Sequence, residues 1–90
     1  MATITKKIDT QWFDAIQNGT KDYELRLADF DIKEGDILRL EEWQGAGYER
    51  KFTGRFIEKT VTQVRHVDLS SWIEKQPELL NKGMFVIRFK

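Results

Sequence analysis

The sequence predicts a small mixed α+β domain in which about five strands curl toward a barrel beside one or two short helices. Three observations predict it. Several segments alternate apolar and polar side chains with a period of two, helical spacing is confined to two brief stretches, and 90 residues suffice for one core and not two. A single domain spanning residues 1–90 is therefore expected.

The opening segment ATITKKID reads as a short β-branched strand with Ile4 and Ile8 as its apolar residues. Asp9 is placed to cap a helix, and Trp12, Phe13 and Ile16, at offsets zero, one and four, give that helix its apolar stripe. Asn18-Gly19 ends it, because glycine adopts the left-handed conformation after a helix without steric cost. KDYELRL then alternates strictly, which predicts a strand with Tyr23, Leu25 and Leu27 facing the core and Asp22, Glu24 and Arg26 facing away. Gly35-Asp36 marks a turn, DILRLEEW a strand, and QGAGYE a hairpin loop. Residues 51–67 keep the two-residue period but are too long for one flat strand, so a bend or bulge is expected near Gly54. DLSSWIEKQPELL is a second, short helix interrupted at Pro77, and GMFVIRFK closes the chain as a strand with Phe85, Ile87 and Phe89 on one face.

Composition narrows the function. Hydrophobic residues make up 40% of the chain, with three Trp and six Phe, which supports a packed core although 33% of residues are charged. The absence of cysteine excludes disulfides and thiolate zinc sites, and a single histidine leaves any metal to carboxylates, so neither metal nor cofactor is expected. No apolar run reaches the roughly 18 residues of a spanning helix and the first residues lack the apolar core of a signal peptide, so a soluble, cytoplasmic protein with no membrane partner is expected, and it is taken to be a monomer. Fifteen basic residues balance fifteen acidic ones, so any polyanion site must arise from local clustering. Such clustering exists: residues 29–42 carry six acids against two bases, and residues 50–65 carry five bases against one acid, which predicts one basic edge.

The trio Lys21, Glu24 and Arg26 has two readings. As residues of an exposed strand face they form a surface ion pair of little energetic weight. In a concavity, the carboxylate would fix Arg26 for an anion or a base edge, with Lys21 as a point charge on a phosphate. Trp12 fits the helix's core stripe better than it fits base stacking, whereas Tyr48, in a loop, is the better-exposed candidate to stack on a single-stranded base. Thr53-Gly54-Arg55 reads equally as a strand bend and as a phosphate contact by Arg55. His66 has no serine or cysteine partner suggested by spacing, which argues against a catalytic role.

Two runs, Trp12 to Arg26 with its Gly19 and K-x-x-E-x-R pattern, and Lys33-Glu34-Gly35-Asp36-Ile37-Leu38 with its G-D turn, resemble the activating signal cointegrator homology (ASCH) domain family of the PUA-like superfamily. Phe52-Thr53-Gly54-Arg55, with Val61-Thr62-Gln63-Val64, is similar to a subgroup of unassigned function that carries a Y-T-G-R signature. The resemblance covers about Ile4 to Val67. It implies a PUA-like pseudobarrel whose cleft, between the first helix and the sheet, is lined by Lys21, Glu24 and Arg26 and binds RNA or a nucleotide.

The leading expectation is therefore an RNA- or nucleotide-binding domain using Lys21, Glu24, Arg26, Tyr48, Thr53 and Arg55. The resemblance also implies two alternatives as a hydrolase. Amidohydrolases of the family that act on acetylated cytidine use a lysine, a threonine three residues later and a distant glutamate; Lys21 matches, but Glu24 stands in place of the threonine. Cleavage of single-stranded RNA would use Lys21 and Glu24 as acid and base. A third alternative is a protein-interaction module working through a sheet edge.

Overall fold

The computed structural model describes residues 1–45, 47–68 and 83–90. In chain order these form β1 (Thr3–Asp9), α1 (Thr10–Gln17), β2 (Tyr23–Leu27), β3 (Ile37–Gln44), a 3-10 turn (Gly47–Glu49), β4 (Lys51–Val67) and β5 (Met84–Phe89). The expected second helix falls almost wholly on residues 69–82, outside the described residues. Among the described residues no helix is long and apolar enough to cross a membrane.

The five strands form one mixed sheet in the order β1-β3-β4-β5-β2. β1 runs parallel to β3, and every other neighbouring pair is antiparallel. The ladder does not close into a barrel, since β1 and β2 remain as its two edges. Those edges nevertheless approach one another: Arg26 on β2 donates from Nη2 to the Lys7 carbonyl of β1 at 2.6 Å. One side chain thus crosses the seam that a hydrogen-bonded ladder would close in a barrel.

β4 can be 17 residues long because it changes partners along its length. Its first part pairs with β3, its last with β5, and an irregularity between Val61 and Gln63 marks the change. A larger bulge sits where expected. Glu41 pairs with Phe56 and Trp43 with Phe52, so Glu42 alone faces Thr53, Gly54 and Arg55, and Gly54 takes a φ of +94°.

The core is assembled from every layer: Ile8 of β1, Phe13 and Ile16 of α1, Leu38 and Leu40 of β3, Val61 of β4, and Ile87 and Phe89 of β5. Burial of each such aliphatic or aromatic side chain contributes roughly 1.5–3 kcal/mol. Behind it the Gly35-Asp36 turn proves structural. The buried Asp36 carboxylate accepts from the amides of Ala2 and Lys33, both at 3.0 Å, tying the chain start to the β3 entry.

Three expectations need correction. Tyr23 and Leu25 are exposed while Glu24 is buried at 4% exposure, so the polar face of β2 is the one turned inward. Ion pairing on both sides of the carboxylate is what makes that burial tolerable, and alternation alone cannot register it. Asp9 occupies the N-cap position of α1 but makes no side-chain capping bond; its carboxylate is taken by Arg50 instead. The basic stretch 50–65 is less cationic than its composition, because Arg50 is ion-paired with Asp9 and Arg55 with Glu42 and Asp14.

Candidate functional site

The end of α1 sets the site's geometry. Asn18 donates its amide to Asp14 O, Gly19 follows at φ +84° with its amide on Ile16 O, and the Lys21 amide reaches back to Ala15 O at 3.0 Å. This wrapped C-terminus, which needs the positive φ at Gly19, fixes the Lys21 backbone against the helix just before β2 begins. Trp12, on the exposed side of α1, then lies close to the Lys21 ammonium, with Nζ 4.7 Å from the ring centroid.

On β2 the even residues point inward. Glu24 pairs across the ladder with the fully buried Ile87, which places its carboxylate at the rim of the core. Its two oxygens are shared out: Lys21 Nζ donates to Oε1 and Arg26 Nε to Oε2, each at 2.7 Å. Because Arg26 also donates to Lys7 O, its guanidinium is held at two points by β1 and β2. Both cations are locked in position and neither is free to collapse onto the surface.

Around this trio lies a cleft of about 490 Å³ that straddles the open seam. That volume falls within the roughly 300–1,000 Å³ of small-molecule sites. Its wall continues through Lys7 and Asp9 of β1, Trp12 of α1, Tyr23 and Leu25 of β2, Trp43 of β3, and Arg50. Four cations, Lys7, Lys21, Arg26 and Arg50, face two carboxylates, Asp9 and Glu24, for a net charge of +2. Cations and rings alternate along the wall. Lys21 lies between Trp12 and Tyr23, and Trp43 has Lys7 Nζ at 4.9 Å and the Arg50 guanidinium carbon at 5.7 Å from its centroid.

Of the residues singled out in the sequence, the cleft gathers Lys21, Glu24 and Arg26. Tyr48 is fully exposed in a neighbouring depression, which shares Arg50 with the cleft. Thr53 and Arg55 line neither concavity. They surround another buried carboxylate, Glu42, with Thr53 Oγ1 donating at 2.5 Å and Arg55 donating from Nε at 2.8 Å and from Nη2 at 2.6 Å. Arg55 Nη2 also reaches Asp14 of α1 at 3.2 Å, and the guanidinium carbon lies 4.7 Å from the Phe13 centroid. Hydrogen bonds from Arg55, then from Thr53, hold the Glu42 carboxyl down at about 2 despite its burial, and Glu42 in turn raises Arg55. In the structure the bulged T-G-R segment thus straps α1 to the sheet.

Lys7, Asp9, Trp43 and Arg50 join the cleft without any signal in the linear sequence. Their meeting depends on the parallel register that sets Asp9 beside Trp43, which local patterning does not encode. Among the described residues no group of three or more histidine, cysteine or acidic side chains is arranged to hold a metal.

Comparison with known proteins adds to this picture. The crystal structure of hypothetical protein PH0355 is similar over 100% of this chain and 98% of that one, with a TM-score of 0.71 and 17% sequence identity. Likeness at this identity speaks for the fold. The chain matches none of the curated proteins. The family model of the domain of unknown function DUF3850 covers residues 5–73, which contain every cleft residue from Lys7 to Arg50 and the Glu42 strap. Matched over that span of its 90 residues, the chain belongs to the DUF3850 family.

Proposed function

We propose that the cleft binds single-stranded RNA or a nucleotide, and that the chain is a PUA-like domain of ASCH type. The observation that carries this reading is the Lys21-Glu24-Arg26 clamp. Glu24's side chain is only 6% exposed, whereas those of Lys21 and Arg26 are 15% and 24% exposed, so a ligand entering the cleft meets the cations rather than the carboxylate. The carboxylate acts as the positioning group. Two cations held in fixed geometry suit phosphate oxygens, and the rings of Trp12, Tyr23 and Trp43 offer apolar contact to a base or ribose.

Hydrolysis of an acetylated nucleoside draws less support. Glu24, which stands where the resembled amidohydrolases keep a threonine, offers no hydroxyl, and both its oxygens are committed to cations.

Titration of the 15N-labelled protein with the four 5′-mononucleotides and with short single-stranded RNA tests the proposal. Amide signals of Lys7, Trp12, residues 21–26, Trp43 and Arg50 are expected to shift, and Arg26→Ala is expected to abolish the shifts. If the full panel leaves these signals unmoved, the reading fails.

A further inference from the structure

Resting on nucleotide binding by the cleft, we infer that the site has a second base subsite at Tyr48 and takes a single-stranded oligonucleotide of at least two residues. Three observations converge on Tyr48. Within the cleft each ring already has a cation nearby: Lys21 beside Trp12 and Tyr23, and Lys7 and Arg50 beside Trp43. Tyr48 differs. It is fully exposed, at 109% of the reference accessibility, so both faces of its phenol stand in solvent. A base approaching it has no cation or side chain to displace.

Position is the second observation. Tyr48 and Arg50 are two residues apart, which keeps their Cα atoms within ~7 Å. Arg50 lines both the cleft and the depression that holds Tyr48, so the two concavities adjoin at this residue. The third observation is how Arg50 is held. Nη2 is anchored on Asp9 of β1, and the guanidinium carbon sits 5.7 Å from the Trp43 centroid. A guanidinium carries five N–H donors, so anchoring on Asp9 leaves others with which Arg50 can meet a ligand. A phosphodiester linking one nucleotide in the cleft to the next at Tyr48 would pass this cation, in a depression where Arg50 and Lys51 outnumber the one carboxylate, Glu49. Stacking on an aromatic face is tolerant of base identity, so the second subsite selects for length and not for sequence.

Binding of the four 5′-mononucleotides and of the four matching homodinucleotides, measured by calorimetry at fixed salt, tests this. Dinucleotides are expected to bind roughly five- to hundred-fold tighter than mononucleotides, the range that one stacked base supplies. Tyr48→Ala should bring the dinucleotide affinity down to that of the mononucleotide, and Tyr48→Phe should keep the increment because it keeps the ring. Equal affinities for both ligand lengths in the native protein would overturn the second subsite while leaving the cleft reading intact. An increment that survives Tyr48→Ala would overturn the assignment to Tyr48. No binding of either ligand would remove both proposals.

Discussion

Glu42 grips Arg55 through both carboxylate oxygens, Oε1 to Nε at 2.8 Å and Oε2 to Nη2 at 2.6 Å, from a position only 1% exposed on β3. The pair spans the bulge in β4 and, through Asp14, reaches α1. Its charge makes the fold sensitive to acid.

The direction of that sensitivity follows from the depressed carboxyl. Glu42 is held at about 2 against an ordinary 4.5, so its contribution is complete above about 4.5 and is lost as pH falls toward 2. Asp36, held low chiefly by the Ala2 amide, acts in the same direction. Urea midpoints measured between pH 6 and pH 2 should fall for the native chain. Glu42→Gln should be less stable at pH 6 and show a shallower decline, so that the two curves converge in acid. Parallel curves would show that this pair does not set the acid limit.

The cleft's charge makes a separate prediction about salt. If Lys7 contacts a phosphate, Lys7→Ala should weaken binding of single-stranded RNA and reduce the slope of log K against log salt by about 0.7, the value for one phosphate on a single strand. Lys7 is exposed and its side chain lies against Trp43, so the substitution leaves the core untouched. Fluorescence anisotropy across a salt series reads the slope directly. An unchanged slope would move the phosphate path away from β1.

Gly83 and Gly19 separate two kinds of glycine requirement. Both have positive φ, +71° and +84°, but a Cβ on Gly83 would lie 2.4 Å from the Val67 carbonyl oxygen and 2.9 Å from His66 Nε2, whereas one on Gly19 meets nothing within 4 Å. Gly19→Ala should cost about 1–2 kcal/mol from backbone strain alone. Gly83→Ala adds a clash with backbone that has no free rotor to yield, raising the expected loss by a further ~1–3 kcal/mol. Chemical denaturation of the two variants distinguishes them, and equal losses would mean that the β4–β5 junction can open without cost.

The strands, their order along the chain and the bulge at Gly54 were legible because each leaves a local mark: a two-residue period, a turn glycine, a run too long to lie flat. The inner face of β2 was not. Its apolar residues Tyr23 and Leu25 read as core, yet Glu24 takes the inward place, because Lys21 before the strand and Arg26 within it compensate the buried charge. The trio was therefore visible as residues of a cleft, with Glu24 fixing Arg26, but the burial of that carboxylate was not. The same limit applies to Arg55, whose partner Glu42 lies 13 positions away and meets it only through the β3–β4 register. Lys7 of β1 and Arg50, just before β4, reach the cleft from positions far apart in the chain, which no spacing rule anticipates.

That inversion of β2 gives the last prediction. If Leu25 faced the core, replacing it would cost several kcal/mol; because it is half exposed at the cleft wall, Leu25→Ser should cost less than about 1 kcal/mol. Ile87, directly opposite Glu24 and fully buried, supplies the contrast: Ile87→Ala should cost about 2–5 kcal/mol through lost transfer energy and the cavity left behind. The two substitutions lie on neighbouring strands and differ chiefly in which face they occupy. Denaturant unfolding of both variants decides the orientation: a large loss at Leu25 with a small one at Ile87 would place the odd face of β2 inward and dismantle the Lys21-Glu24-Arg26 clamp.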